Sequence, residues 1–241
     1  AAAWRVWLAQ APQDADGWFE LGWLLRRVGD PQAALAAYSE AIARGVRAPE
    51  EAHLNRAVIL SDDLHRDADA QRELELALTS APGFAPARLN LGKIHEDQGR
   101  HAEARACYGA IVDAATGTAD EHAATALARL VELDGAGAGG DALFGRATHM
   151  AAAPSRLSEV ARAQLGYALG RAHEARGDHD AAFAAFDAAN RWAARGAPRY
   201  APAVVEAQID ALVAAAHSLG GVERGHDGGN MPGPVFICGM F

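Results

Sequence analysis

The stretch of sequence that decides the fold is residues 87–111, ARLNLGKIHEDQGRHAEARACYGAI. Apolar residues recur at steps of three and four on both sides of a turn around Gly99, and this spacing places them on one face of each of two helices. Small residues, Gly92 and Ala104, stand where the two helices must cross closely, while large ones such as Tyr108 fill the space around the crossing. The stretch therefore predicts two helices packed against each other.

The same pattern occurs three more times along the chain. One copy lies 70 residues earlier and begins at Leu21-Gly22, and another lies 78 residues later and begins at Leu169-Gly170. A weaker copy around Ala57 divides the first interval into two steps of 35 residues. A helix-turn-helix unit that recurs about every 34 residues is the signature of the tetratricopeptide repeat, which this chain resembles over most of its length.

That resemblance implies an all-α fold, a right-handed superhelix (α-solenoid) over residues 1–219. The spacing predicts a partial repeat at 1–15, repeats at about 16–47, 48–82, 83–117, 118–153 (degenerate) and 154–196, and a capping helix at 200–219. The turn at 62–67 is one residue longer than its neighbours. The partial repeat lacks its first helix and would leave Trp4 and Trp7 with few packing neighbours. We therefore expect the chain to begin inside a longer protein.

Glycine-rich composition marks two breaks in the helical pattern. Residues 134–140, DGAGAGG, follow a helical segment and not a strand, so a flexible loop between helices is favoured over a phosphate-binding loop. Residues 220–233 are predicted to be an interdomain linker. The apolar run that follows, 234–241, is predicted to be a short β-strand that belongs to a further domain.

Composition excludes several classes of function. The formal net charge is −9 and Lys93 is the only lysine, which argues against a nucleic-acid groove because such a groove needs a basic stripe. The sequence has no apolar run long enough to span a bilayer. Two distant cysteines, Cys107 and Cys238, favour a reducing compartment and hence a cytoplasmic location.

Repeats of the kind this chain resembles bind an extended peptide along the inner groove formed by their first helices. Glu20, Asn55 and Asn90 stand at equivalent inner positions, 35 residues apart, and an asparagine amide both donates to and accepts from a peptide backbone. Trp23 and Arg27 would add stacking and charge to the same groove. The alternative interpretation is that these asparagines are polar residues tolerated on a solvated face. A clamp for a terminal carboxylate is not expected, because Asn55 alone fits that pattern.

The ten histidines do not form a recognisable catalytic or metal site. His95 and His173 stand where this repeat has an aromatic packing residue, and ligand spacings such as i, i+4 on one helix are missing. Ordinary packing is therefore favoured over metal binding for these residues. A nucleophile with a base and an orienting group cannot be assembled from the sequence either.

The last 60 residues resemble a second, more specific pattern, that of bacterial tetratricopeptide sulfotransferases. The segment 181–192, AAFAAFDAANRW, precedes a helix start at Tyr200-Ala-Pro202, a linker and the run Val235-Phe-Ile-Cys-Gly239. In that family the strand enters a Gly-Met-Pro-Arg-Ser-Gly-Thr loop that binds the donor, 3′-phosphoadenosine-5′-phosphosulfate. Here Phe241 replaces the proline and Ala201 replaces an aspartate that is common in the family.

The resemblance implies that the repeats belong to an enzyme that transfers a sulfuryl group to a hydroxyl or amine acceptor. Gly239 would be the edge of the donor loop, and the residues that bind the 5′-phosphate would follow Phe241. Residues 1–241 by themselves are then expected to be inactive. The alternatives are a scaffold whose repeats only recruit peptide or protein partners and, less favoured, a repeat-bearing glycosyltransferase.

Overall fold

The computed structural model describes residues 2–115, 120–134, 140–153, 157–196 and 202–218, and within these ranges the regular structure is helical throughout. It therefore confirms the all-α solenoid. The predicted linker 220–233, the predicted strand 234–241 with Gly239, and most of the glycine-rich loop at 134–140 lie outside the described residues. The helices are α1 Ala2–Gln10, α2 Ala15–Arg27, α3 Pro31–Ala43, α4 Pro49–Val58 continued by a π-turn Ile59–Asp63, α5 Asp67–Ser80, α6 Ala85–Asp97, α7 His101–Ala114, α8 Glu121–Asp134, α9 Gly140–Ala152, α10 Glu159–Ala175, α11 His179–Gly196 and α12 Pro202–Ser218.

Local sequence explains where the helices begin and end. Asp14 and Asp30 cap α2 and α3, because their carboxylates accept hydrogen bonds from the free backbone N–H groups of Gly17 and Ala33. Proline stands in the first turn of α3, α4 and α6, where a missing N–H costs nothing. Gly99 closes the turn between α6 and α7 with a φ of +72°, a conformation that glycine adopts without strain.

The helices are paired by a small residue that faces an aromatic ring. A Cβ placed on Gly92 of α6 would lie 2.5 Å from Cε1 of Tyr108 on α7, and one placed on Gly22 of α2 would lie 3.0 Å from the ring of Tyr38 on α3. Gly170 of α10 lies against Phe186 of α11 in the same way. Tyr38 and Tyr108 are almost completely buried, which confirms that Gly92 lies at a helix crossing.

The second pair of helices accommodates one extra residue in a π-turn. The distance along the chain from Leu25 to Leu60 is 35 residues, whereas the distance from Gly29 to His65 is 36, so the extra residue lies between Leu60 and His65. There the backbone N–H of Leu64 donates to the carbonyl of Ile59, five residues earlier. His65 takes the place of the turn glycine, with a φ of +55°.

The core of the solenoid is divided among neighbouring helices. One buried cluster joins α1, α2 and α3 to the start of the second pair, a second joins that pair to α6 and α7, and a third joins α6 and α7 to α8, α9 and α10. Each helix pair therefore buries apolar residues between its own two helices and also against the adjacent pairs, as expected for a repeat array.

The chain divides into two compact units, Ala1–Ala197 and Pro198–Phe241, and α12 is the described part of the second. Along α12 the apolar side chains of Ile209, Leu212 and Val213 are exposed. The hypothesis that this helix caps the solenoid stays a prediction.

Candidate functional site

The candidate site is the surface formed by the first helix of each pair, α2, α4, α6, α8 and α10, which we call the first-helix face. Along this series α4 packs on α6, α6 on α8 and α8 on α10. A cavity of about 320 Å³ crosses three of these helices. It is lined by Leu89, Asn90, Lys93, Tyr108, Thr125, Arg129 and Gln164.

Ion pairs link the first helices to one another. Arg129 of α8 pairs with Glu96 of α6, with Nε 3.2 Å from Oε2, and with Glu132 of its own helix at 2.8 Å. Glu132 in turn pairs with Arg171 of α10. Each link thus joins a glutamate to an arginine on the next first helix, and the series fixes three successive helices relative to one another.

A buried tyrosine is hydrogen-bonded to this series of ion pairs. Tyr108 donates its hydroxyl hydrogen to Glu96 at 3.1 Å, and burial together with the negative charge of Glu96 raises the pKa of the tyrosine far above its ordinary value. Burial by itself would lower the pKa of Arg129, but the hydrogen bond and the charge of Glu96 outweigh burial and raise it. Both groups therefore keep their protons over the whole physiological pH range.

A similar link joins α2 to the π-turn. Arg26 Nε lies 2.9 Å from Oδ2 of Asp63, and its Nη2 lies 3.6 Å from Oδ2 of Asp62. Both carboxylates belong to the π-turn, and Asp62 lies 36 residues after Arg26 along the chain. The guanidinium of Arg26 is consequently engaged within the solenoid.

The three residues predicted to form an inner row are placed in different surroundings. Asn90 lines the 320 Å³ cavity, whereas Glu20 lines a separate cavity of about 270 Å³ between α2 and α4. Asn55 lies on α4 and lines neither of these two cavities. The amide of Asn55 donates to the carbonyl of Glu51 at 2.9 Å, and that of Asn90 donates to the carbonyl of Pro86 at 2.9 Å. Since an amide has two N–H bonds, each side chain can still offer one donor and its carbonyl oxygen.

The two remaining predicted residues are brought together by the helix. Trp23 and Arg27 are one turn apart on α2, and the guanidinium carbon of Arg27 lies 4.6 Å from the centre of the tryptophan ring. Trp23 is 43% exposed and Arg27 is also exposed. The pair is a cation–π stack whose outer side faces solvent.

A half-buried polar cluster that the sequence reasoning missed lies inside the second helix pair. His53 and Arg56 of α4 contact the carboxylate of Glu73 on α5, with Nδ1 of the histidine at 2.8 Å and Nη2 of the arginine at 2.7 Å. Nη1 of Arg56 also donates to the carbonyl of Leu35 and to Ser39 on α3. One arginine therefore connects three helices.

The sequence contains a signal for this cluster. Arg56 is 35 residues after Leu21 and 35 before Leu91, so a charged residue replaces the leucine found at this place in the adjacent pairs. Burial raises the pKa of Glu73, but the hydrogen bonds and charges of His53 and Arg56 outweigh burial and lower it to about 2.

This lowered pKa predicts a loss of stability in acid. Glu73 has an ordinary pKa of 4.5, so its contribution is fully present above pH 4.5 and is lost as the pH falls towards 2. At pH 7, Glu73→Gln should reduce the free energy of unfolding by about 3 kcal/mol, since each pKa unit corresponds to about 1.4 kcal/mol. Urea unfolding at pH 7, 5, 3 and 2 measures the difference in the free energy of unfolding between wild type and Glu73→Gln. A difference that stays constant down to pH 2 would contradict the lowered pKa of Glu73.

Two histidines and the cysteine of the described residues occupy packing positions. His95 is buried on α6, where burial lowers its pKa, and the ring of His173 packs edge to face on Phe144. Cys107 is buried and its pKa is raised by burial, so its thiol is not activated. Within the described ranges no three His, Cys, Asp or Glu side chains are grouped to hold a metal ion. No described helix combines the length and the apolar character needed to cross a membrane.

Comparison with known families and structures gives a consistent result. Residues 1–45, 19–60 and 63–119 match the tetratricopeptide repeat family. Comparison with curated proteins finds no significant match. Among solved structures, the fold is similar to that of BtubC (BKLC) from P. vanneervenii, with 20% identity, 83% of this chain and 91% of that chain covered, and a TM-score of 0.63.

Two further solved structures share the fold. For a structure from a study of Pseudomonas aeruginosa pilF the identity is 17%, the coverage 85% of this chain and 89% of that chain, and the TM-score 0.58. For residues 41 to the end of MamA from Desulfovibrio magneticus RS-1 the identity is 20%, the coverage 76% and 97%, and the TM-score 0.56. At these identities the likeness concerns the fold alone.

Proposed function

We propose that this chain, which matches the tetratricopeptide repeat family over residues 1–45, 19–60 and 63–119, is a protein-interaction module whose first-helix face binds an extended segment of a partner protein. The observation that carries the proposal is the 320 Å³ cavity that runs across α6, α8 and α10. It is open on the face where three consecutive first helices meet, and its lining combines an apolar residue, Leu89, with several hydrogen-bonding side chains.

The polar lining suits a peptide backbone better than a small molecule. Asn90, Thr125 and Gln164 lie on three successive first helices, and Thr125 Oγ1 donates to Gln164 Oε1 at 3.1 Å. Neighbouring helix axes are about 8–10 Å apart, and an extended chain advances about 3.3 Å per residue. One such side chain is therefore available for every third residue or so of a bound segment.

The ion pairs around the cavity support the same function. Arg129 is held by Glu96 and Glu132, so the floor of the cavity is preorganised and its side chains lose little freedom when a ligand binds. A segment that lies across α6, α8 and α10 meets a rigid surface with donors and acceptors directed outward.

The groove predicts a measurable role for the asparagines. Replacing both Asn55 and Asn90 by alanine should weaken a bound peptide by about 1 kcal/mol or more per lost backbone contact. Since Asn90 lines the cavity, the single variant Asn90→Ala should account for most of the loss. The probes are peptides selected from a random library displayed on phage, measured by fluorescence anisotropy.

The matched control is Gln32→Ala, which removes an exposed amide from α3, the second helix of its pair. Equal affinity of wild type and the double variant would remove the asparagines from the site. If the library yields no binding peptide at all, the proposed function itself is wrong.

A second candidate function is sulfuryl transfer by a longer protein in which these repeats hold the acceptor or an assembly partner. It is supported by the order of the segment 181–192, Tyr200, Pro202 and the run 235–239, which resembles tetratricopeptide sulfotransferases. The donor would be 3′-phosphoadenosine-5′-phosphosulfate.

Calorimetry with 3′-phosphoadenosine-5′-phosphate tests this second candidate. Residues 1–241 should not bind the nucleotide, because the anion of such a site is held by N–H groups of the helix that follows the glycine turn. The full-length protein should bind it. Absence of binding by the full-length protein would leave the interaction module as the function.

A further inference from the structure

We infer that the bound segment is acidic, with two carboxylates about six residues apart that pair with Arg27 and Lys93, and with an apolar side chain beside the carboxylate at Arg27. This inference rests on the proposed function, since it names the partner of the same first-helix face. It follows from which cations on that face already have partners and which are available.

Four arginines of the first helices are engaged with a carboxylate on another helix or on the π-turn. Arg26 pairs with Asp62 and Asp63, and Arg56 pairs with Glu73. The arginines at 129 and 171 belong to the ion-pair series of α6, α8 and α10. These four arginines stabilise the solenoid through their ion pairs and are therefore less available to bind a ligand.

Arg27 and Lys93 are different. In the part of the chain that the structure describes, Arg27 has no ion-pair partner, and its guanidinium stacks on Trp23 at 4.6 Å. Lys93 reaches only Asp97 of its own helix at 3.5 Å, with 60% and 58% of the two side chains exposed. An ion pair with this exposure is weak, so a carboxylate of a ligand can replace it at little cost.

Trp23 indicates which kind of ligand side chain lies beside the carboxylate that pairs with Arg27. Trp23 is 43% exposed although its side chain is large and apolar, with Arg27 stacked on its ring. Tryptophan and arginine are the side chains that most often dominate the energy of protein interfaces. An aliphatic or aromatic side chain of the ligand would cover the open part of the ring while its acidic neighbour pairs with Arg27.

Carboxylates of α2 and α4 indicate where the acidic residue of the ligand lies. Glu20 is exposed on the same helix, seven residues before Arg27, which corresponds to about 10 Å along the axis. Together with Glu51 it gives the edge of the face near the start of α2 and α4 a negative character. A carboxylate is repelled there and is attracted to the end of α2 that carries Arg27.

The geometry of the helices gives the spacing. Arg27 is on α2 and Lys93 is on α6, with α4 between them. Two steps of about 8–10 Å separate the two helices, and an extended chain covers that distance in roughly six residues. Beyond Lys93 the segment continues into the cavity lined by Asn90, Thr125 and Gln164.

The experiment selects peptides from a random twelve-residue library displayed on phage with the chain in its wild-type form. Enriched sequences should carry two Asp or Glu residues five to seven positions apart, one of them next to a large apolar residue. For the best peptides, Arg27→Glu and Lys93→Glu should each weaken binding about tenfold, because attraction is replaced by repulsion. Trp23→Ala should weaken it about 30-fold. In a further peptide, the acidic residue beside the large apolar residue is changed to lysine. This peptide should recover affinity for the Arg27→Glu variant and not for wild type.

The matched control is Arg191→Glu, which reverses an exposed arginine on α11, a second helix, and should leave the affinity unchanged. Circular dichroism and urea midpoints confirm that each variant is folded. Selected peptides that bind but lack the paired acids, or that are insensitive to both charge reversals, overturn this inference and leave the proposed function in place. A library that yields no binder overturns the proposed function instead.

Discussion

Arg56→Ala is expected to lower the free energy of unfolding by about 3–5 kcal/mol, because it leaves the carboxylate of Glu73 without its arginine in a half-buried site. The side chains of Arg56 and Glu73 are only 21% and 12% exposed, so water cannot replace the lost partner fully. The bonds of Arg56 to Leu35 and Ser39 on α3 are lost as well. Urea unfolding at pH 7 measures the effect.

The double variant Arg56→Leu, Glu73→Ala separates pairing from packing. It restores the residue types of the neighbouring pairs, which have leucine at 21 and 91 and small residues, Ala37 and Cys107, at the place of Glu73. Replacing both partners of a buried pair by apolar residues is often neutral, so the double variant should lie within about 1 kcal/mol of wild type. Arg72→Ala, which removes an exposed arginine from α5, should cost less than about 1 kcal/mol. A double variant as unstable as Arg56→Ala would contradict this account.

Gly92→Leu is expected to destabilise the helix crossing between α6 and α7 strongly. Its first added carbon already lies 2.5 Å from Tyr108, a buried ring that cannot move aside without displacing α7. Overpacking of a close-packed core costs about 1–3 kcal/mol, and a leucine here should reach the upper end of that range or exceed it.

Gly109→Ala supplies the control for that experiment. It lies inside α7, and a Cβ at this position has open space around it. Alanine is favoured over glycine in a helix, so this variant should gain up to about 1 kcal/mol. An unchanged urea midpoint for Gly92→Leu would mean that the two helices do not cross at this residue.

The repeat pattern could be predicted from sequence because one residue type carries it. Glycine recurs at 22, 92 and 170, and the ring that fills its space, Tyr38, Tyr108 or Phe186, always follows 16 residues later. That relation lies within a single helix pair and depends on local spacing. Fold class and crossing points were therefore accessible without a structure.

Contacts between pairs were not accessible in the same way. The link from Glu96 to Arg129 spans 33 residues and that from Glu132 to Arg171 spans 39, because the loops between these helices differ in length. A search at a fixed period of 34 or 35 aligns other residues and misses both. Asn55 and Asn90 illustrate the converse, since their constant spacing suggested one row although only Asn90 lines the cavity.

The π-turn shows how the array tolerates a change in its residue count. One additional residue in a regular α-helix rotates all later side chains by about 100° about the axis, which would turn a buried stripe sideways. Confining that residue to Ile59–Asp63 cancels the rotation before the chain reaches His65, and α5 still buries Ala70 and Ala77. The rotational phase of the solenoid is thus maintained by contacts between helices, and an insertion or deletion within a turn need not be transmitted to the next repeat.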